Sequence, residues 1–231
     1  MTNWDENQFV KIASLLDAQN LNYWIESGTL LGLYRNGELI NHDKDIDIGV
    51  WSDQENLICD FALKLSSEYD LKKYYYKDRL NKIKLLPINN ESLRKIDVNL
   101  YFQHEDMAYC FTSVFFKKHS MHLFKNLIYY AMLLIEYTFT ERFIRKNKIV
   151  FFGKWPLKYL RRPGFWAVKA KHFLVRDNIL YRGIKINIPS EPDIYLQNKY
   201  GDWREEKKNW YYMSDDGCLQ RDFTPELLNR V

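Results

Sequence analysis

Apolar residues near the N-terminus recur at helical spacing. Phe9, Ile12, Leu15 and Leu16 fall on one stripe, which predicts a helix over residues 5–20 with Asn20 as its stop. A short apolar-aromatic run, Tyr23 to Ile25, then opens into a tight turn at Gly28-Thr29. Thr29 to Arg35 predicts a second short helix whose N-terminus faces that turn, an end that favours an anion. Asp45-Ile46-Asp47-Ile48 changes the period to two. On a strand this alternation puts both carboxylates on one face and both isoleucines on the other. Ser52 to Ser67 returns to helical spacing through Leu57, Phe61, Leu63 and Leu65. Leu71 to Tyr76 and Lys82 to Pro87 predict strands around a polar turn at residues 77–81, and 88–95 reads as a loop. Lys95 to Phe102 alternates again, with Asp97 on the face shared by Lys95 and Asn99.

Ser120 to Lys146 is one long helical pattern, apolar nearly all round in its middle, with Arg142, Arg145 and Lys146 in its last turn. Residues 148–171 interleave Phe151, Phe152, Trp155, Tyr159, Phe165 and Trp166 with Lys154, Lys158, Arg161, Arg162, Lys169 and Lys171. That mixture suits an interfacial membrane patch. It equally suits a surface that stacks bases and grips phosphates, or an ordinary core-and-rim segment. Ile184 to Ile188 is a short alternating strand ending at Pro189. Glu191 to Lys199 predicts a helix closed by Tyr200-Gly201-Asp202-Trp203, with Gly201 suited to a left-handed stop.

The composition adds bounds. With 231 residues, 46% of them hydrophobic and 16% aromatic, the chain can bury a sizeable core, and disorder is excluded. A net charge of +4 suits an anionic substrate or a membrane surface without selecting either. Cys59, Cys110 and Cys218 are scattered, with no Cys-x-x-Cys pair, which argues against structural zinc and for a reducing compartment. The N-terminus has acids where a secretory signal would have bases. The longest apolar run, Leu127 to Ile135, is far short of the ~20 residues a membrane span needs. A cytoplasmic location is expected.

The chemistry is read from the acidic alternation. Asp45 and Asp47 repel, and a divalent cation of the hard kind, Mg²⁺ or Mn²⁺, is the usual compensation. Taken alone, the motif also fits a half-buried edge strand with a wet acidic face. Gly28-Thr29 upstream changes the balance, because a turn with free N–H groups and a hydroxyl can hold phosphate beside a metal. Phosphoryl or nucleotidyl transfer needs that combination. Arg35 is placed to reach a phosphate, or else is solvated or paired to an acid. His42 is a lone histidine of surface or structural kind, and Asp43 stands near the expected metals without being counted as a ligand.

The same residues carry a family resemblance. Ser27-Gly28-Thr29-Leu30-Leu31-Gly32-Leu33-Tyr34-Arg35 followed by Lys44-Asp45-Ile46-Asp47-Ile48-Gly49-Val50 resembles the LicD-type cholinephosphotransferase family, and within it the fukutin group most closely. Family members commonly have Trp-Asp-Asp where this chain has His42-Asp43-Lys44; fukutin shares the lysine. Lys95-Ile96-Asp97-Val98 is similar to the second acidic motif. Pro189, Tyr195-Leu196, Tyr200-Gly201 and Trp203 resemble the C-terminal part of the catalytic domain. The resemblance covers about residues 20–105 and 171–212, so 112–170 reads as an insertion.

The resemblance implies an α+β, nucleotidyltransferase-like fold: a mixed sheet carrying the acids, flanked by helices, with a helical, basic-aromatic insertion. The expected division is 1–111 as catalytic core, 112–170 as insertion and 171–231 as the C-terminal part of the catalytic domain. It also implies transfer of a phospho-alcohol from a CDP-linked donor to a hydroxyl of a cell-surface glycan, such as capsule or lipopolysaccharide, with release of CMP. Asp45, Asp47 and Asp97 would be the catalytic and metal-binding carboxylates, with Gly28, Thr29, Arg35 and Lys44 binding substrate. Ribitol phosphate or glycerol phosphate ranks above phosphocholine as the group moved, because fukutin-type proteins use CDP-ribitol. A true nucleotidyltransferase acting on a nucleoside triphosphate is an alternative, and an inactive glycan- or nucleotide-binding module is another. No nucleic-acid partner is expected. The acceptor, if still lipid-linked, would bring the 151–171 tract to the membrane as a peripheral contact.

Overall fold

The computed structural model describes residues 3–76, 79–90, 92–115, 161–207 and 210–220. Helix α1 (Asn3–Ala18) ends two residues before Asn20, whose φ of 55° turns the chain. Strand β1 (Tyr23–Ile25) leads into helix α2 (Ser27–Asn36), closed by Gly37 in the left-handed region. Strand β2 (Asp45–Trp51), a short 3₁₀ turn and helix α3 (Glu55–Lys64) follow. Strands β3 (Tyr69–Tyr76), β4 (Arg79–Pro87), β5 (Lys95–His104) and β6 (Met107–Phe115) come next. After residue 160 the chain forms β7 (Arg161–Lys169), α4 (Lys171–Leu174), β8 (Arg176–Tyr181), β9 (Ile184–Pro189), α5 (Pro192–Tyr200), α6 (Tyr212–Asp215) and β10 (Leu219–Gln220).

Strand β5 is the hub of the sheet. Its first half lies between β2, which runs parallel to it, and β4, which runs antiparallel. Its end turns to pair with β6, and the sheet continues through β7 to β10. Period two then assigns the faces. Ile46, Ile48 and Val50 of β2, Ile83 and Leu85 of β4, and Ile96, Val98 and Leu100 of β5 pack into one core. Helix α1 adds Phe9, Ile12, Ala13 and Leu16 to that core, and α3 adds Ile58, Phe61 and Ala62. The other face carries Asp45, Asp47 and Gly49 on β2, then Asp97, Asn99 and Tyr101 on β5, then Lys82 and Lys84 on β4. These are brought side by side by the pairings Asp47↔Asp97, Lys84↔Asp97, Gly49↔Asn99 and Lys82↔Asn99. Gly49 is required here, since a Cβ on it would lie 2.1 Å from the indole nitrogen of Trp24.

The mixed α+β sheet flanked by helices follows the sequence reading, with differences at particular places. Helix α2 begins at Ser27, so Gly28 and Thr29 lie inside its first turn. Strand β4 begins at Arg79, where a turn was expected. Residues 112–115 and 161–169, assigned to a helical insertion, are sheet. Ser113 to Phe115 pairs with Arg161 to Pro163, while Phe165 and Ala167 pack on Tyr109. The basic-aromatic composition of β7 concealed a strand whose consecutive aromatics pack on opposite faces, Phe165 against Tyr109 and Trp166 against Leu219. The helix expected over 120–146 lies outside the described residues, as do Phe151, Phe152, Trp155 and Tyr159. Gly201 has positive φ (69°) but ψ of −129°, so it ends α5 without the left-handed geometry expected. Strand β8, absent from the sequence reading, pairs with β9 across Arg182-Gly183, both at positive φ, a two-residue turn matched to strand twist.

Among the described residues no helix is long and apolar enough to cross a membrane.

Candidate active site

The acidic end of the polar face meets the N-terminus of α2. Two backbone contacts fix that meeting: the Glu26 N–H donates to the Asp47 carbonyl at 3.2 Å, and the Asp47 N–H donates to Thr29 Oγ1 at 2.8 Å. Ser27 joins the two elements at a φ of 51°, a costly conformation for a non-glycine residue. The strain sets the first turn of α2, with its unpaired N–H groups, over the carboxylates. Gly28 lies in that turn. A Cβ there would fall 2.3 Å from Asp43 Oδ2 and 3.8 Å from Asp47 Oδ2, so glycine is what lets the acids approach the helix.

Asp43, Asp45 and Asp47 form a crowded acidic row. Burial, then a hydrogen bond and repulsion from Asp45, push the Asp43 carboxyl up to about 7, against the pull of the Lys44 N–H and of Arg94. Burial, then the charges of Asp45 and Asp97, hold the Asp47 carboxyl well above its ordinary range. The field of Lys82 opposes that rise. Burial first, and neighbouring charge after it, thus favour the protonated forms of Asp43 and Asp47.

Asp97 lies beside Asp47 on the neighbouring strand and is 4% exposed, which rules out a solvated strand position. Its carboxylate is engaged differently from the others. Lys82 Nζ and Lys84 Nζ both reach Oδ2, at 2.6 and 3.1 Å, while Oδ1 is buried without a partner. Burial works to raise the Asp97 carboxyl, but the two ammoniums hold it below the usual range. Among the described residues no three His, Cys, Asp or Glu side chains converge as a ready cation cage. Asp97 does not complete one because its Oδ2 faces lysines. Asp45 and Asp47 nonetheless fit a hard divalent ion in donor chemistry: two carboxylates on one strand face, with a third acid at Gly28 and the orphaned oxygen of Asp97 beside them.

The other expected substrate-binding residues are placed variously. Gly28 is at the acids. Thr29 is buried, and its hydroxyl already accepts the Asp47 N–H, so its first task is to tie α2 to β2. Arg35, at the far end of α2, donates to the Trp203 carbonyl at 3.3 Å and so holds the segment after α5. Lys44 is exposed next to Asp45, with its carbonyl accepting the Lys95 N–H.

Sequence reasoning passed over several residues. Lys82 and Lys84 looked like ordinary outward positions of an alternating strand. Arg94 looked like loop; it is 5% exposed, gives Nη1 to the Ile40 carbonyl, and is gripped through its backbone by Gln8 of α1. Tyr200 lies in the field of Asp47 and Asp43, where burial first and those charges after it raise its phenol. Its position in the Tyr-Gly pair was the available signal.

Further along the face, the acids are satisfied. Glu26 is fully buried and accepts from Asn99 Nδ2 (2.7 Å), Tyr101 Oη (2.8 Å) and Trp24 Nε1 (3.4 Å). Lys199 of α5 pairs with Asp216 at 2.8 Å, and Asp216 also accepts from Trp166 Nε1 and the Cys218 N–H. The Glu26 contacts fasten the start of α2 to β5, and the Asp216 contacts fasten α5, β7 and the turn before β10 to one another.

Comparison with known proteins gives a family match over residues 20–142, to the model described as LicD/FKTN/FKRP, nucleotidyltransferase domain. The match runs past residue 105 into the stretch read as an insertion. An uncharacterized protein of Rickettsia prowazekii is 51% identical over 41 residues, covering 18% of this chain and 15% of that protein. The human ribitol 5-phosphate transferase FKRP is 40% identical over 40 residues, 17% of this chain and 8% of the relative. The chain thus matches only a small part of the length of these curated relatives. The solved structure of the lincosamide adenylyltransferase LnuA with lincomycin bound aligns with 83% of this chain and 84% of its own, at 12% identity and a TM-score of 0.42.

Proposed function

The chain belongs to the LicD/FKTN/FKRP nucleotidyltransferase-domain family, and from that premise we propose that it moves a phospho-alcohol from a CDP-linked donor to a glycan hydroxyl, releasing CMP. Ribitol phosphate or glycerol phosphate is favoured over phosphocholine. The observation that carries the reading is the acidic row of β2 set against the first turn of α2, with Gly28 clearing the space between them.

Asp45 and Asp47 would hold Mg²⁺ or Mn²⁺, with Asp43 and the free oxygen of Asp97 beside them. When bound, the ion neutralises charge on the donor diphosphate and polarises the phosphorus under attack. The N–H groups at the start of α2 face the same anion and stabilise it without reorganising. Asp97 Oδ1 is the oxygen available to the acceptor hydroxyl or to the ion. The lysines on Oδ2 keep Asp97 ionised, which makes it a firm ligand and a weak base. The acceptor oxygen attacks the phosphorus bearing the alcohol, the bond to the CMP oxygen breaks, and positioning and charge neutralisation supply most of the acceleration.

The test is CMP release with Mg²⁺, an acceptor glycan, and CDP-ribitol, CDP-glycerol or CDP-choline side by side. Release from CDP-ribitol or CDP-glycerol is the expected result, and preference for CDP-choline would reverse the donor ranking. Pyrophosphate release from a nucleoside triphosphate would make the protein a nucleotidyltransferase. No product from any of these would leave a binding module. Peripheral association with an acceptor-bearing membrane would be read by flotation with anionic liposomes at low salt, and failure to float removes it. The described end of the 151–171 tract contributes little to such a contact: Phe165 is buried, Trp166 is bonded to Asp216, and Lys169 and Lys171 are paired with Asp106 and Glu191.

A further inference from the structure

Lys82 and Lys84 are two apart on β4, so the pleat sends both side chains to the face that carries the acids. Opposite them on β5 are Asn99 and Asp97. Both ammoniums converge on one oxygen, Asp97 Oδ2, at 2.6 and 3.1 Å. One carboxylate balances one ammonium. The second lysine therefore leaves a positive charge in a partly buried place, where an unbalanced ion is costly. Asp47 is the other acid in the field of Lys82, and it lies in the row that a divalent ion would occupy. With that row engaged, the surplus charge of the pair has no protein partner on the face. An anion is what the arrangement lacks.

The two lysines differ in access. The Lys82 side chain is 17% exposed and lies deep against Asp97, whereas that of Lys84 is 33% exposed. An ammonium has three donors, and Asp97 takes one from each. Lys84 thus has N–H groups both free of Asp97 and open to a ligand, on the strand across β5 from Asp47.

We propose that Lys84 binds the donor's phosphate directly, with Lys82 behind it holding Asp97 in place. The ligand class is a nucleoside diphosphate or its inorganic core, pyrophosphate. The inference rests on the reading of the site as one for a nucleotide-linked diphosphate donor. Lys84 supplies charge and hydrogen bonds to phosphate oxygens, and no covalent bond to it forms or breaks. Lys82 is a positioning residue. If both lysines served only to neutralise Asp97, removing Lys84 would alter stability and leave phosphate binding unchanged.

The experiment measures binding of CDP and, separately, of inorganic pyrophosphate to the full chain with Mg²⁺ by titration calorimetry. Wild type, Lys84→Met, Lys84→Arg and the exposed control Lys64→Met are compared. Loss of a charge-assisted contact predicts that Lys84→Met weakens both probes by about tenfold or more. Lys84→Arg recovers most of the affinity and Lys64→Met binds as wild type. The wild-type advantage over Lys84→Met shrinks as salt rises. A thermal melt verifies that Lys84→Met is folded. Should it not be, Lys84→Gln keeps a donor for Asp97 without the charge, and the same loss is expected. Equal binding by wild type and the folded Lys84 variant overturns the lysine inference alone. Failure of wild type to bind either probe overturns it together with the donor reading beneath it.

Discussion

One face of one sheet holds two sets of acids with opposite treatment. At the Glu26 end every carboxylate oxygen meets donors: Asn99, Tyr101 and Trp24 converge on Glu26, and Lys199, Trp166 and a backbone N–H converge on Asp216. At the Asp45 end the acids crowd a gap cleared by a glycine, and the Asp43 and Asp47 carboxyls are pushed up by burial and then by neighbouring charge. The chemistry of the side chains is the same; the difference is whether the fold supplies the partners. Where it does, the acids hold α5 and the C-terminal strand in place. Where it does not, the acids keep repelling one another, and that end is the one at which we propose a metal ion and the donor bind.

The contrast predicts opposite outcomes for removing a charge at each end. Asp47→Asn should lower kcat by roughly a thousandfold or more, the scale of losing a group that stabilises charge in the transition state. In the same variant the metal-free melting temperature should stay level or rise, because a repelling charge is gone. Near-normal turnover in a variant that binds donor would break the comparison at its active end. Asp216→Ala should do the reverse. It leaves the buried Lys199 ammonium unpaired, at a cost of about 3–5 kcal/mol of folding stability. Denaturant titration measures this, and a loss under about 1 kcal/mol would show the pair to be replaceable. Glu26→Ala strands the Asn99 and Tyr101 donors in the interior, costing about 1–3 kcal/mol. The tie between the start of α2 and Asp47 is made by the Glu26 backbone N–H, which alanine keeps, so Mg²⁺-dependent CDP binding should change little in the protein that remains folded.

These contrasts bear on how legible the molecule was. Asp45 and Asp47 could be placed on one face from period two, because strand geometry is local, whereas Asp97 stood out only through its resemblance to the family's second acidic motif. Glu26 could not, since nothing in Glu-Ser-Gly-Thr distinguishes an acid buried under three donors from one in water. Its partners Asn99 and Tyr101 are more than seventy residues away. Thr29 lies beside the acids as its place in the sequence suggested, but its hydroxyl is engaged by the backbone of β2, which the sequence did not show. Lys82 and Lys84 became visible only when the β4–β5 register set them opposite Asp97. The β6–β7 ladder was hidden for a related reason: Phe165 and Trp166 among lysines and arginines carry a surface composition, and only the pairing gives each ring a packed neighbour on its own face of the sheet.

The smallest expected effect sharpens the comparison through pH. Asp43 keeps its proton up to about 7 in the folded protein, while an unfolded chain releases it near the ordinary aspartate value, about 4. Between those limits the folded state binds more protons, so its stability falls as pH rises, and Asp47 acts in the same direction. Asp97 has the opposite sign. Its contribution is complete above the unfolded value and fades only as pH drops below about 4, outside this window. Metal-free protein should therefore melt at lower temperature at pH 7 than at pH 5. Asp43→Asn should flatten the slope, and saturating Mg²⁺ should reduce it. A slope unchanged by both would mean that the acidic row is not under repulsion.

The pairing of Phe115 with Arg161 has a consequence for how such a protein diversifies. Phe115 ends β6 and Arg161 begins β7 as partners across one ladder, so the two ends of the connection between these strands lie side by side. Closing a longer or shorter excursion between such neighbours changes the entropic cost only slowly with length. Strands β6 and β7 carry none of the acidic row. The connection between β6 and β7 can therefore change in length while β2, β4 and β5 retain their register, so variation there need not disturb the acidic row.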